Sequence, residues 1–263
     1  MKTAVITGAS RGIGLETAKL FSKNGYKVYA LSRSGESEKA ENIVPMKCDV
    51  TDENSVKDAF RLIFEESGRF DVLVNNAGFG ISGAVEFTDK KQAEKQFEVN
   101  FFGCFICCKA AADYMRRNGG GRIINISSLA AELSIPFQAF YSASKAAVNS
   151  LTLALSNELR PFRISVCALM PGDVKTGFTA AREKETEKSG VYGETIKKSI
   201  ATMEKDERNG MSPERIAKAV LSLAQKKRVK PLSTTGAQYK LISGLSKVLP
   251  VSAVNRIVGM LYT

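Results

Sequence analysis

Short apolar runs alternate with longer segments of helical period, and this alternation constrains the fold more than any other feature of the chain. The strand-like runs are 4–7, 27–31, 44–48, 72–74, 122–126 and 164–169. The helical segments are one that ends near residue 24 and those at about 53–67, 90–117, 140–159 and 213–225. This order is typical of βαβ units. The sequence therefore predicts an α/β fold with a parallel sheet.

A glycine-rich turn lies directly between the first strand-like run and the first helical segment. It follows Thr7 and reads Gly8, Ala9, Ser10, Arg11, Gly12, Ile13 and Gly14. Glycines here let the backbone approach a pyrophosphate, to which the N-terminus of the next helix offers free amides and a favourable dipole. The turn therefore predicts a dinucleotide site.

The end of the second strand-like run indicates which dinucleotide binds. An acidic side chain there would accept a hydrogen bond from the ribose 2′-hydroxyl of NAD, whereas this chain has Ser32 followed by Arg33. Arg33 and Arg11 are placed to pair with a 2′-phosphate, a task that suits a guanidinium. The sequence predicts NADP(H); the alternative is that both arginines merely face solvent.

Tyr141 and Lys145 are spaced i, i+4 in a helical segment and so share one face of the helix. A free phenol has a pKa of about 10 and is a poor acid or base at neutral pH. A nearby, partly desolvated cation favours the phenolate and lowers that pKa. The pair predicts a tyrosine that exchanges protons, although the same spacing by itself is common in ordinary helices.

Composition excludes several kinds of site. The chain has no histidine, which rules out Ser-His-Asp and Cys-His chemistry and every histidine-containing metal site, and we expect no metal. The net charge of +11 predicts attraction to anions such as a phosphorylated cofactor, an anionic substrate or a lipid surface. Nucleic acid is not expected as a partner, because no zinc-finger spacing or helix-turn-helix signature occurs.

The five cysteines lie within apolar runs, and their odd number favours reduced thiols. Cys104, Cys107 and Cys108 are close enough in sequence for a metal or redox pair, but their apolar neighbours favour packing in a helix. The first strand-like run begins near Thr3, so no signal peptide is expected. We therefore expect a cytoplasmic protein.

Further motifs complete a known series. They are Asp49-Val50, Asn75 to Gly78, Asn100, Ser127-Ser128, Tyr141 to Lys145, and Pro171-Gly172-Asp173-Val174-Lys175-Thr176. Together with the turn at 7–14 they have the order and spacing of the short-chain dehydrogenase/reductase family, which the chain resembles over residues 3–176. The resemblance implies a Rossmann-like, doubly wound parallel sheet with helices on both faces, in one domain over residues 1–263.

The resemblance also implies which residues hold the cofactor. Asp49 and Val50 would border the adenine, and Asn76 with the adjoining backbone would line the ribose. Val174 and Thr176 would contact the nicotinamide amide. The full expected set is Gly8, Ser10, Arg11, Gly12, Ile13, Gly14, Arg33, Asp49, Val50, Asn76, Ala77, Gly78, Tyr141, Lys145, Pro171, Gly172, Val174 and Thr176.

In the implied mechanism, hydride passes between the nicotinamide and a substrate carbonyl carbon. Tyr141 exchanges the proton of the oxygen, and Ser128 hydrogen-bonds the same oxygen. Lys145 lowers the tyrosine pKa and holds the nicotinamide ribose. Asn100 bends its helix and holds a water that links Lys145 to solvent. Ser128 is the expected catalytic serine, and Ser127 the one that satisfies strand-end hydrogen bonds.

Two segments lie beyond these motifs. Residues 179–210 are polar and predict either a substrate lid beside the C-terminal strand ends or a solvated loop. Residues 236–262 are apolar but interrupted by charges and by Pro250, which predicts two short amphipathic helices rather than a membrane span. This extension would cover the substrate pocket, join subunits or lie on an anionic bilayer, with packing inside the protein or oligomer favoured.

The sequence thus predicts an NADP(H)-dependent oxidoreductase that interconverts a carbonyl and an alcohol on a small, apolar substrate, similar to hydroxysteroid and retinol dehydrogenase-like members. Two alternatives stay open. One is a 3-oxoacyl-thioester reductase, for which a basic surface would suit a phosphopantetheine carrier, and the other is a non-catalytic protein that senses NADP(H). As in the family, we expect a homodimer or homotetramer built around the helices at 90–117 and 140–159.

Overall fold

The computed structural model describes residues 1–38, 40–185 and 190–263. Its strands are β1 (Lys2–Thr7), β2 (Tyr26–Ser32), β3 (Ile43–Lys47), β4 (Val72–Asn75), β5 (Ile81–Gly83), β6 (Gly121–Ile126), β7 (Ile164–Met170), β8 (Glu183–Glu185) and β9 (Leu232–Thr234). Its α-helices are α1 (Gly12–Lys23), α2 (Glu53–Ser67), α3 (Lys90–Phe97), α4 (Gly103–Arg117), α5 (Ala139–Glu158), α6 (Glu194–Arg208), α7 (Pro213–Gln225), α8 (Ala237–Ser246) and α9 (Val251–Tyr262). Every strand predicted from the sequence is present.

Seven of the strands form one parallel sheet in the order β3-β2-β1-β4-β6-β7-β9. The chain moves outward from β1 to β3 and then returns to place β4 on the other side of β1. In open α/β sheets, such a reversal leaves a crevice at the carboxyl ends of the strands, where ligands bind. The predicted doubly wound sheet is confirmed.

Different helices cover the two faces of the sheet. Successive side chains of β1 show the division, because Ala4 and Ile6 belong to a core shared with α1 and α7 whereas Val5 belongs to a core shared with α2 and α4. All three of these side chains are fully buried. The strand ends are therefore the part of the central sheet that can meet a ligand.

Four elements are not predicted by the sequence analysis. β9 extends the sheet beyond β7, and β5 and β8 pair as a separate two-stranded sheet. Each of these strands has three residues, too few for a period-2 pattern to be seen. The fourth element, α6, lies within the predicted lid at 179–210, of which residues 186–189 are outside the described residues.

The C-terminal extension consists of α8 and α9, separated at Pro250 as the sequence predicts. The inward faces of the two helices bury Tyr239 and Ser243 from α8 and Val258 from α9. Within the described ranges, no helix combines the length and the apolar character needed to cross a membrane.

Candidate active site

A cavity of about 750 Å³ lies at the carboxyl ends of the strands and reaches from the glycine-rich turn to the C-terminal helices. Every predicted cofactor-binding residue except Gly14 lines it, and so does Ser128. Asn100 does not line this cavity but a smaller one beside it. The fold thus brings motifs from most of the chain to one place.

The glycine-rich turn forms one end of the cavity, at the start of α1. Gly8 and Gly12 have φ of +64° and +59°, which residues with a Cβ adopt at a cost. A Cβ on Gly14 would lie 2.3 Å from the carbonyl oxygen of Gly8, so Gly14 supports the turn from behind. Asn76 Nδ2 donates to the carbonyls of Thr7 and Gly8, at 3.0 and 3.1 Å, and ties the turn to β4. This cradle fits a dinucleotide pyrophosphate, which needs close backbone approach.

Two arginines stand at the end of the cavity nearest β2. Arg33 follows the buried Ser32, Arg11 belongs to the glycine-rich turn, and both side chains are exposed while lining the cavity. In the described part of the chain neither guanidinium has a carboxylate partner. Asp49 lines the neighbouring wall, where one of its carboxylate oxygens accepts hydrogen bonds from the Thr51 amide and hydroxyl at 3.0 and 2.8 Å. Two unpaired cations are therefore available to an anionic group here.

Tyr141 lines the middle of the cavity from the first turn of α5. Its ring packs against Phe178 with centroids 5.6 Å apart, and Ser128 lies close enough to its hydroxyl to lower its pKa. Burial raises the pKa of Tyr141 to about 12, and Ser128 opposes the rise only in part. The expectation that Lys145 lowers the pKa of this tyrosine below its ordinary value is wrong in this structure, because desolvation of the phenol dominates.

Lys145 lies beneath Tyr141 on the same face of α5, as the spacing predicts. Its Nζ is 5.9 Å from the centroid of the Tyr141 ring and donates to the carbonyl oxygen of Ile126 at 2.8 Å. Burial lowers the pKa of Lys145 to about 8. At neutral pH the site therefore holds a neutral phenol next to an ammonium that is close to its titration point.

The two serines after β6 take different partners. The Ser127 hydroxyl donates to the carbonyl oxygen of Lys145 at 3.2 Å and is buried, which matches the structural role expected for it. Ser128 Oγ accepts from the amide of Ala130 at 3.1 Å and meets the Tyr141 hydroxyl. Of the two hydroxyls, Ser128's is the one beside the tyrosine.

Asn100 lies in a π-helical segment, Glu98–Phe102, that interrupts the single helix predicted over 90–117. Such segments widen the helix and are frequent at functional sites. Asn100 Oδ1 accepts from the Phe79 amide, and Nδ2 donates to the Phe79 carbonyl and to Ser144 Oγ, each at 3.1 Å. A cavity of about 10 Å³ between Asn100 and Lys145 is about the size of one water.

The C-terminal helices complete the cavity, which the sequence left as one of three possibilities. The Tyr239 hydroxyl donates to Asp173 Oδ2 at 2.9 Å, so α8 is bonded to the motif that follows β7. A Cβ on Gly172 would lie 2.2 Å from the Tyr239 ring, so glycine is needed for this contact. Ile242 from α8 and Val258 from α9 also line the cavity. The signal for this role was present in the sequence as the glycine beside Asp173 and the apolar faces of the extension.

Carboxylates gather at the margin of the cavity between α6 and the C-terminal helices. Asp173, Asp206 and Glu207 all line it. Glu207 pairs with the buried Arg182 and accepts from the Thr179 hydroxyl at 2.5 Å. Burial raises the pKa of Asp173, and the Tyr239 hydroxyl opposes that rise. Asp49 and Glu183 also line the cavity, so its carboxylates are not confined to this margin.

Known proteins are similar in sequence to the chain that forms this site. The chain matches the family model described as short chain dehydrogenase over residues 2–187. A 3-ketodihydrosphingosine reductase from Bacteroides thetaiotaomicron is 40% identical over 245 residues, which cover 92% of this chain and 91% of that one. A human 3-oxoacyl-[acyl-carrier-protein] reductase is 31% identical over 212 residues, which cover 77% of this chain and 90% of that one.

Solved structures agree with the sequence relatives. A short-chain dehydrogenase from Streptomyces avermitilis superposes with a TM-score of 0.85 at 28% identity, covering 94% of this chain and 93% of that one. ElxO with NADP bound superposes with a TM-score of 0.75 at 28% identity, covering 91% of this chain and 99% of that one. The likeness to solved folds therefore extends over the C-terminal part of the chain as well as the motifs.

We expect Lys145→Met to raise the free energy of unfolding at pH 7 by about 1–3 kcal/mol, because a thioether has no charge to desolvate. The gain should shrink as the pH rises from about 8 to roughly 10.4. In that window the folded protein has released the lysine proton and the unfolded chain still holds it. The stability of the unaltered protein therefore rises with pH there, whereas that of Lys145→Met does not gain in this way.

Urea unfolding between pH 6 and 10.5 measures the difference, with Lys91→Met on α3 as the control because Lys91 is exposed. If the stability difference between the two proteins does not vary with pH, or if Lys145→Met is less stable at pH 7, then burial does not destabilise the charged form of Lys145.

Proposed function

This chain belongs to the short-chain dehydrogenase family, and on that premise we propose that it is an NADP(H)-dependent reductase of long-chain ketones that carry an amino group beside the carbonyl. The family makes the chain an oxidoreductase with a nicotinamide cofactor. One observation carries the finer proposal. The cavity that holds Ser128 and Tyr141 continues into a wall of apolar side chains with carboxylates at its margin.

A bound nicotinamide dinucleotide supplies the hydride that reduces the substrate carbonyl carbon. Tyr141, whose pKa is raised to about 12, keeps its proton at neutral pH and donates it to the carbonyl oxygen. Ser128 donates a second hydrogen bond to that oxygen, so both hydroxyls stabilise the charge that develops there. Lys145 provides a positive charge below the phenol and a donor for ribose hydroxyls. At neutral pH the tyrosine therefore rests in the protonated form that the reduction step requires.

The two unpaired arginines support NADP(H) over NAD(H). Arg11 and Arg33 flank the end of the cavity where β2 stops, and the residue that ends β2 is the neutral Ser32. A 2′-phosphate would receive charge-assisted hydrogen bonds from both guanidinium groups. An NAD ribose would instead find no carboxylate at the end of β2.

The apolar wall supports a substrate with a hydrocarbon chain. Side chains from four parts of the molecule form it, and they are Leu133, Ile135, Phe178, Met203, Ile242, Val258, Leu261 and Tyr262. Burying a methylene group against such a wall is favourable by about 0.8 kcal/mol. A long alkyl chain would therefore gain more from this cavity than a compact ketone would.

The carboxylates at the margin support a cationic group close to the reacting carbonyl. Asp173 and Glu207 line the same cavity as Tyr141, and their charges raise the pKa of its phenol while that of Arg182, the partner of Glu207, lowers it. The Bacteroides relative is named for 3-ketodihydrosphingosine, a long-chain ketone whose carbonyl neighbours an ammonium group. Ketosteroids and retinoids carry no such cation. The hydroxysteroid- or retinol-like substrate expected from the sequence stays an untested prediction.

Reduction of 3-oxoacyl thioesters is a second candidate. The human relative named for that reaction and the net charge of +11 favour it. Against it, a phosphopantetheine arm is anionic and would approach Asp173, Asp206 and Glu207 at the cavity margin. A protein that only senses NADP(H) is less favoured, because Ser128 and Tyr141 line the cavity together beside the apolar wall, an arrangement that sensing does not require.

With NADPH, the protein is expected to reduce 3-ketodihydrosphingosine in mixed micelles with kcat/KM at least tenfold above that for a long-chain ketone without the amino group. A ketosteroid and a 3-oxoacyl thioester complete the panel. Tyr141→Phe should bind NADPH normally and lose turnover by a factor of about 10² or more, because no proton donor is left. Tyr114→Phe, outside the cavity, is the matched control.

Faster turnover of the thioester than of the amino ketone would contradict the proposed substrate and support the second candidate, reduction of 3-oxoacyl thioesters. Undiminished activity in Tyr141→Phe would contradict the mechanism itself.

Arg33→Ala is expected to lower the preference for NADPH over NADH by roughly 10-fold to 100-fold, since one charge-assisted contact to the 2′-phosphate is lost. The KM for NADH should change little. Initial rates with both cofactors measure the preference, and Arg228→Ala, which removes an exposed arginine that does not line the cavity, controls for net charge. An unchanged preference would show that Arg33 faces solvent only.

A further inference from the structure

The outward faces of α8 and α9, and the turn between them, expose several large apolar side chains. The exposed fractions are 84% for Val248, 83% for Val251, 69% for Met260, 64% for Leu241 and 49% for Leu245. We call these five residues the tail face. The opposite faces of the same helices line the cavity, so the fold itself does not bury the tail face. A patch of this kind on a small domain marks an interaction surface.

The charged side chains within the C-terminal extension are all basic. Residues 237–263 contain Lys240, Lys247 and Arg256 and no Asp or Glu. All three basic side chains are exposed, and Lys247 reaches Glu132 at 3.1 Å outside the extension. Long basic side chains can hold their charges among lipid headgroups while neighbouring apolar groups enter the acyl boundary.

We propose that α8 and α9 dock the protein on the surface of an anionic lipid bilayer, with the tail face in the acyl boundary and the basic side chains at the headgroups. The helices have 10 and 12 residues. That corresponds to about 15 and 18 Å of helix, roughly half the thickness of a bilayer core, so they lie in the plane of the interface.

Charge also favours a bilayer over a second copy of this chain as the partner that covers the tail face. A contact between two copies of the tail face would bring together two surfaces whose own charged side chains are all basic, with no carboxylate among residues 237–263 to pair with them. The homo-oligomer expected from the sequence stays a prediction and does not need the tail face.

Docking would place the mouth of the cavity against the lipid. Ile242 and Leu261 both line the cavity and are 41% and 64% exposed, so the rim of the cavity belongs to the docking helices. An apolar ligand can then pass from the bilayer into the cavity without crossing water. The inference goes beyond the proposed function. Vesicle binding is measured without turnover, so the result does not depend on which substrate the protein reduces.

Flotation with vesicles tests the proposal. The full chain is mixed with vesicles of phosphatidylcholine alone or with a third of phosphatidylglycerol, at low and high salt. We expect most of the protein to float with the anionic vesicles at low salt and at least tenfold less with the neutral ones. High salt should reduce flotation, because the basic side chains contribute through screened charge.

Val248→Asp/Val251→Asp is expected to lower flotation with anionic vesicles by at least tenfold, since two charges would have to enter the acyl boundary. Neither residue lines the cavity, so NADPH binding and the thermal midpoint should be unchanged. Leu62→Asp on α2 is the control, because Leu62 is also apolar and 47% exposed, and it should float like the unaltered protein.

Three results would overturn the proposal. The unaltered chain does not float with anionic vesicles; the double variant floats as well as the unaltered chain; or light scattering shows that the double variant dissociates an oligomer while flotation stays the same. The last result would assign the tail face to a second copy.

Discussion

Desolvation acts on Tyr141 and Lys145 in opposite directions, because one is neutral when protonated and the other is charged. Burial raises the pKa of the phenol to about 12 and lowers that of the lysine to about 8. The rest of the site depends on this shared burial. The Ile126 carbonyl steadies the ammonium, Ser128 meets the phenol, and Asn100 holds the loop that follows β4 against the same helix. A surface-exposed pair with the same spacing would have neither property.

The C-terminal helices join the cofactor motifs to the substrate region. Tyr239 bonds Asp173 and fills the space that Gly172 leaves, so the motif after β7 contacts the expected nicotinamide position on one side and α8 on the other. The inward faces of α8 and α9 close the cavity, and their outward faces are apolar and basic. One short extension thereby has two roles: it shapes the pocket, and under our proposal it brings that pocket to a bilayer.

The sheet and the motif positions could be predicted because each depends on local pattern: period, glycine spacing and helix-face spacing. The direction of the Tyr141 pKa shift could not, since it depends on how much protein surrounds the phenol, and the cavity is assembled from distant segments. The π segment contains Asn100, whose hydrogen bonds to Phe79 are long-range contacts that a local pattern does not reveal. α6 was within reach, because Ile196, Ile200 and Met203 recur at helical spacing inside the polar segment and are buried. The sequence left the role of the extension as one of three possibilities, and the bond between Tyr239 and Asp173 favours the one in which it covers the cavity.

The protonation state of Tyr141 tests the account most directly. Absorbance titration of the protein minus that of Tyr141→Phe isolates the phenolate signal of this one side chain. We predict that Tyr141 shows no phenolate below pH 10 and ionises near its raised pKa of about 12. A midpoint below about pH 8, well under the ordinary value for a phenol, would contradict the claim that burial outweighs the neighbouring lysine and sets the site for proton donation.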